Sequence, residues 1–292
     1  MDKNVVTPQK MNRAVAYGFA VLGVLLLTAI GIRSPRADTA AVAPLTVLSY
    51  NIRIGAGIQR WKASPYRLKN DATLDLKPIV AAIRSINPDI VGLQEVLGES
   101  QASELGESLG MHHAYVQHGI GRHGSWWGVA VLSKYPIQST DRVQISSGRG
   151  NTKSMLVAAI DLGGRLASFI SIHKDKDLDD GESLRVAMQY IGRIERPTVL
   201  IGDLNMEIYD ERLEVLAPRF RDSADGLLTP GAIQARERGT WDSRIIDRPN
   251  RRIDYVFIDP SYWTVQDVGL LPTEHWHASD HIGYFARIVP RF

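Results

Sequence analysis

The feature that most restricts this chain recurs along it: apolar runs of strand length break off on polar residues able to hold a cation or move a proton. In PTVLIGDLN the run Val199–Ile201 stops on Gly202, Asp203 and Asn205. Side chains alternate along a strand, so positions 203 and 205 can face the same way. Asn51 follows LSY, Glu95 follows VGLQ, His173 follows FISI, Asp254 closes RRID, and Asp280-His281 stand just before the last run. Sites in sheet proteins gather beyond strand ends, where loops converge on a rigid frame. Taken alone, Asp203 and Asn205 read equally well as a turn or helix cap.

The order of the runs sets the fold class. LTVLSYNIRI (Leu45–Ile54) alternates like a strand, and LKPIVAAIRSI (Leu76–Ile86) has helical spacing that stops at Asn87-Pro88. DIVGLQEV is strand-like, and SELGESLG reads as a helix closed by Gly110. WGVAVLSKYPI, SMLVAAIDL and RLASFISIH follow as strands, then the amphipathic helix Glu182–Ile194, then PTVLIGDLN, RRIDYVFID and IGYFARIVP. Strand–helix–strand units mixed with strand–strand runs predict an α/β (α+β) fold of packed mixed sheets with helices outside, not a doubly wound parallel sheet. The order appears twice, over Leu45–Leu162 and Arg165–Val289, which suggests two related halves. The 292 residues contain no cysteine, so disulfides, thiolate metal sites and cysteine nucleophiles are excluded.

The N-terminus differs from the rest. Ala14–Ile32 is 19 residues without a charge, close to the length of a membrane-spanning helix. Lys3, Lys10 and Arg13 precede it and Arg33 and Arg36 follow, which places the N-terminus inside by a margin of one charge. The reading is a cytoplasmic segment (1–13), a transmembrane anchor (14–32), a linker (33–43) and a catalytic domain (44–292) on the extracytoplasmic side. A cleaved signal is the alternative and would make the domain secreted, although Pro44 is a poor residue after the small-residue site AVA. The formal charge of +2 comes from this segment; from Pro44 onward 29 basic residues face 30 acidic ones. A body near −1 does not advertise polyanion binding.

Each polar strand end also has an ordinary structural explanation. Asn51 fits a turn, Glu95 a solvated strand end, His173 a satisfied core histidine, and Asp254 a partner for Arg251 or Arg252. Together they form an oxygen-rich set suited to a hard cation such as Mg²⁺, with Mn²⁺ as a substitute. The ordered motifs SYNIR, LQEV, SIH, GDLN, RIDYVF and SDH resemble those of the endonuclease/exonuclease/phosphatase superfamily, the deoxyribonuclease-like metal-dependent phosphohydrolases, over the whole domain.

That resemblance implies a four-layer sandwich with its site at one end of the paired sheets. It implies Glu95 as a ligand of Mg²⁺ with Asn51 and Asp280 near the metal, and Asp203 activating or orienting the attacking water. Asn205 would hold a phosphate oxygen or that water, His281 would act as base or phosphate contact oriented by Asp254, and His173 would donate to the phosphoryl group. Arg53 would meet a substrate phosphate. Two departures stand out. Gly283 replaces the proline that usually follows SDH-x, and no glutamate in WWGVAVLS is available to orient His173. DKDLDDG departs from a calcium loop at its sixth position and reads as a loop before a helix. His275 and His277 could contact substrate, and Trp61, Trp126 and Trp127 could form an apolar lip or pack internally.

The expected protein is therefore a Mg²⁺-dependent phosphoester hydrolase, monomeric in its catalytic domain, anchored to a membrane and using water directly. Its substrate would be a phospholipid or phosphoinositide-type headgroup or a nucleic acid, and the sequence does not choose between them. A tethered or secreted endonuclease is the first alternative, and a catalytically silent binding module the second.

Overall fold

Local chemistry fixes where the elements start and stop. The computed structural model describes residues 42–58, 74–119, 127–145, 153–175, 181–241 and 251–292. Helix α1 (Lys77–Ile86) has Pro78 in its first turn and ends on Asn87 in the left-handed conformation. Helix α2 (Glu99–Leu109) ends the same way on Gly110. Helix α3 spans Glu182–Ile191, and α4 (Pro230–Arg238) starts at Thr229, whose hydroxyl accepts from the Ala232 amide. The expected anchor at 14–32, Trp61 and Trp126 lie outside the described residues. Among the described residues no helix is long and apolar enough to cross a membrane.

Among the described residues twelve strands form two mixed sheets. They are β1 (Leu45–Asn51), β2 (Ile90–Val96), β3 (His112–Gln117), β4 (Gly128–Ser133), β5 (Ile137–Gln144) and β6 (Ser154–Asp161). They continue with β7 (Leu166–His173), β8 (Thr198–Asp203), β9 (Arg221–Asp222), β10 (Asp254–Ile258), β11 (Trp263–Leu270) and β12 (Tyr284–Pro290). The first sheet has the order β11-β12-β1-β2-β4-β3 and the second β5-β6-β7-β8-β10-β9. Adding six to each strand number, cyclically, turns one order into the other. Each half of the chain thus gives four strands to one sheet and its last two to the other.

The sheets pack face to face, β1 on β8 and β10, β2 on β7 and β8, β4 on β6 and β7. Ile90, Val131, Ala158, Phe169, Ile201 and Val256 lie between the sheets, while Val91 and Leu93 belong to the part of the core that Ile79, Ile83 and Leu105 from α1 and α2 complete. The alternate residues of the second sheet, including Val157, Ile170 and Leu200, pack with Leu184, Ala187 and Ile191 of α3. Burying each such side chain contributes about 1.5–3 kcal/mol. Close approach depends on Gly92 in β2, where a Cβ would stand 2.5 Å from Ile201 Cγ2.

Strand directions carry the polar residues to one end. β1 and β2 are parallel, as are β7 and β8, while β12 and β10 run antiparallel to β1 and β8. The C-terminal ends of β1, β2, β7 and β8 therefore lie with the N-terminal ends of β10 and β12. The strand expected over Leu45–Ile54 ends earlier, at Asn51, because Arg53 and Ile54 turn to positive φ. No helix starts at Glu207; it pairs instead with Arg251 at 2.9 Å.

Candidate active site

Asn51, Asp203, Asp254 and His281 meet at that end. Asn51 Nδ2 donates to Asp203 Oδ2 (3.0 Å), and the Asn51 Oδ1 accepts from the Arg53 amide (3.0 Å). The Ser279 hydroxyl donates to the Asn51 carbonyl (2.8 Å), tying the SDH loop to the end of β1. Asp254 Oδ2 lies 2.8 Å from His281 Nδ1, and Asp203 Oδ2 lies 3.7 Å from Nε2 of the same ring. One carboxylate stands on each side of the imidazole. Arg251 and Arg252 do not compete for Asp254, since Arg251 pairs with Glu207 and Arg252 binds Asp222 through two hydrogen bonds of 2.6 and 2.7 Å.

Electrostatics separates the groups. Burial alone would lower His281, but Asp254 and Asp203 outweigh it and hold the imidazole well above its usual 6.5. Burial first, and then Asp254, push Asp203 up to about 6. Burial, helped by Asp280, raises Glu95 to about 7. His173 is driven well below 6.5 by burial and then by Lys153, so it stands neutral. A cationic histidine can donate a proton and a neutral one can accept one, so the cleft holds both capacities.

Backbone strain clusters here too. Among the described residues five non-glycines have positive φ, and Arg53, Ile54, Glu95 and Asn205 all belong to this end. Asn87, the fifth, caps α1. Glu95 stands where the β2–β4 register slips between Gln94 and Val96, so a bulge aims its carboxylate out of the ladder. Such conformations cost about 1–3 kcal/mol each and persist where the surroundings impose them. Asn205 is held by its amide, which donates to Asp203 Oδ1 (2.9 Å), and by its Nδ2, which donates to the Lys174 carbonyl (2.8 Å).

Arg53 is turned inward. It is 3% exposed, donates to the Gly57 carbonyl (2.7 Å) and stands 3.6 Å from Asp280 Oδ2. It stands beside Asp280 at the same end as the other polar residues. Trp127 packs on Ile54 and Ala56, His275 lies in a short 3-10 turn, and the His277 carbonyl accepts from Ile58. Gly283 is required by packing, because a Cβ there would meet Leu271 at 2.7 Å.

Several residues absent from the sequence-based set belong to the site. Lys153, just before β6, lies 3.5 Å from His173 Nδ1 through its Nζ, and His118, just past β3, has its ring centroid 6.0 Å from that of His173. Thr240 braces both halves of the acid–histidine pair: its hydroxyl oxygen accepts from the Asp254 amide, and its carbonyl accepts from Ile282. The only signal for Lys153 is a charge directly before the mostly apolar run SMLVAAID. Thr240 sits in a stretch with no pattern at all.

Two mixed sheets closing on an acid–histidine–acid cleft define the deoxyribonuclease-like fold with a site built for phosphoester chemistry. The chain belongs to the Endonuclease/Exonuclease/phosphatase family, whose profile it matches over residues 48–281 and whose members are hydrolases of phosphoester bonds. Protein cwh43 of Schizosaccharomyces pombe (strain 972 / ATCC 24843) is 27% identical over 203 residues, 65% of this chain but 19% of that protein. This chain thus spans about a fifth of the length of that relative. A functionally unknown conserved protein from Enterococcus faecalis V583 has a similar fold, with a TM-score of 0.68, 20% identity, and coverage of 85% of this chain and 100% of that one. The mannosyl-6-phosphatase of Bacteroides thetaiotaomicron VPI-5482 superposes with a TM-score of 0.61 at 20% identity, covering 84% of this chain and 99% of that one.

Proposed function

We propose that this chain is a divalent-metal-dependent phosphodiester hydrolase that uses water directly and works at a membrane surface. The observation that carries the reading is the Asp254–His281–Asp203 arrangement, with Glu95 and Asp280 at the same strand ends. Its donor set fits a hard cation. Burial and Asp280 together hold a proton on Glu95 near neutral pH, which is the electrostatic frustration that a divalent cation relieves. Asp203, Asp254 and His281 also offer one ligand atom each within 4.8 Å of one another. Both nitrogens of His281 face carboxylates, however, which favours proton handling there. Glu95, Asp280 and Asn51 would hold the ion, Mg²⁺ with Mn²⁺ as substitute, and when bound it would neutralise the phosphate and stabilise charge in the transition state.

The chain's own residues do the rest. Asp203 orients the attacking water and takes up its proton, while the His281 imidazolium, held by Asp254, donates to the charge that develops on the phosphoryl group. Asn205 and His173 donate to a phosphoryl oxygen without reorganisation. A phospholipid-type headgroup suits the near-neutral domain, the anchor at 14–32 and the exposed Ile208 and Tyr209 on the loop beyond Asn205. The uncharged run 14–32, read as an anchor, supports a domain on the extracytoplasmic side, and we take the catalytic domain to act as a monomer.

A substrate panel of sphingomyelin, phosphoinositides, plasmid DNA, RNA, mannose 6-phosphate and a bis-aryl phosphate tests this reading. Mg²⁺-dependent cleavage of a lipid diester, with a flat response to salt, is expected. Preferential cleavage of DNA or RNA, with binding that falls by about 0.9 log units per phosphate contact per decade of salt, would replace the lipid reading with a nuclease. Binding without turnover of any member would favour a silent module.

A further inference from the structure

Lys153 is a buried cation in a cleft of carboxylates, and no step above uses it. It is 9% exposed and stands directly before β6, its carbonyl accepting from the Ile145 amide (2.9 Å). β6 runs antiparallel beside β7 with Leu156 opposite Ser171, so Ser154 comes level with His173 and Lys153 stands one step beyond. Its Nζ lies 3.5 Å from His173 Nδ1. Burial lowers the Lys153 ammonium while Glu95, Asp175 and Asp203 hold it up; as an ammonium it has three donors and no acceptor, so Nδ1 can only accept from it. In a neutral ring the proton must then sit on Nε2.

The consequence appears on the other side of the ring. Asn205 Nδ2 lies 3.3 Å from His173 Nε2 and donates to the Lys174 carbonyl, which fixes the orientation of the amide. With Nδ1 protonated, Nε2 would accept from Asn205 and the pair would satisfy itself. With Nε2 protonated, neither group can accept from the other, and the two donors stand 3.3 Å apart beside Asp203 Oδ2, which is 3.6 Å from Nε2. An anionic oxygen placed there would accept from both. His118 packs against the same ring with its own tautomer set, because its Nδ1 accepts from the Ser154 amide (3.0 Å).

We infer that Lys153 is a positioning residue: it holds His173 in the Nε2–H tautomer and so makes His173 and Asn205 a two-donor cradle for a phosphoryl oxygen. It takes the place of the orienting glutamate missing from WWGVAVLS. The cradle's role rests on the hydrolase reading above, but the tautomer does not.

The test is long-range proton–nitrogen NMR of histidine rings in the ¹⁵N-labelled full-length chain, with His173 assigned from His173→Gln. The wild type should show His173 neutral and protonated at Nε2. In Lys153→Met the Nδ1–H pattern should grow in, with kcat falling roughly a hundredfold while KM changes little; Lys153→Arg should restore the tautomer and most of the turnover. A wild-type ring protonated at Nδ1 overturns the inference whether or not the variants fold, and so does an unchanged tautomer in a folded Lys153→Met chain. If no phosphoester is cleaved at all, the hydrolase reading fails while the tautomer result still stands or falls by itself.

Discussion

Asp254 is the residue on which the proton chemistry turns. Its Oδ2 binds His281 Nδ1 at 2.8 Å while its Oδ1, also buried, has no partner among the described residues. Asp254→Asn keeps the shape and removes the charge that holds His281 cationic. Turnover should fall roughly 10²–10⁴-fold, with the His281 titration, followed by proton NMR, moving to lower pH. An unmoved titration would remove Asp254 as the orienting group. Glu95 supplies a second prediction with a defined pH window. Its carboxyl titrates at about 7 in the fold against 4.5 for the free group. Between those values the folded chain keeps a proton that the unfolded chain has released, so Glu95 alone makes the cation-free fold lose stability as pH rises. A divalent cation favours the carboxylate, so the gain in Tm on adding Mg²⁺ should grow from about pH 5.5 to about pH 7.5 and shrink in Glu95→Gln. At this scale the carboxylates, amides and histidines were legible in the sequence because they end apolar runs. Lys153 and Thr240 were not, because each acts on another residue through a contact that no spacing encodes.

Most of the strands that the sequence displays are buried on both faces, β12 with its exposed Arg287 being the exception. β1, β2, β4, β6, β7, β8 and β10 read as apolar runs because one sheet covers the other and helices or loops cover the outside. The strands it hides are β3, β5, β9 and β11, and these are the four sheet edges. An edge strand packs on fewer neighbours and carries charge freely, as β5 does with Ser139, Thr140, Asp141 and Arg142 exposed, so the alternation fades. The twofold order of the halves was visible, since it is a property of the central strands. Which strand pairs with which was not, because pairing depends on contacts distant in the chain. One element-level prediction follows from the close inter-sheet approach at Gly92. Gly92→Ala would drive a Cβ into Ile201 and should cost about 1–3 kcal/mol in urea unfolding, lowering turnover because β2 and β8 carry Glu95 and Asp203. A Gly92→Ala chain as stable and as active as wild type would show that the sheets can separate without consequence.

On the scale of the whole molecule, a near-neutral body closes two sheets around a cleft that pairs one cationic and one neutral histidine with four carboxylates. Membership of the Endonuclease/Exonuclease/phosphatase family follows from 48–281 as a unit, and the motifs announced it because they lie in order on strand ends. Substrate is set by rim and surface, where sequence patterns are weakest. The central claim is that this cleft hydrolyses a phosphoester through Asp203 with a divalent cation. The most direct test is turnover of a bis-aryl phosphate by the full chain and by Asp203→Ala, with Mg²⁺, with EDTA, and with Mg²⁺ restored. The account predicts turnover that EDTA abolishes and Mg²⁺ restores, and a folded Asp203→Ala chain that is inactive throughout. Undiminished turnover in Asp203→Ala, or turnover indifferent to EDTA, would contradict it.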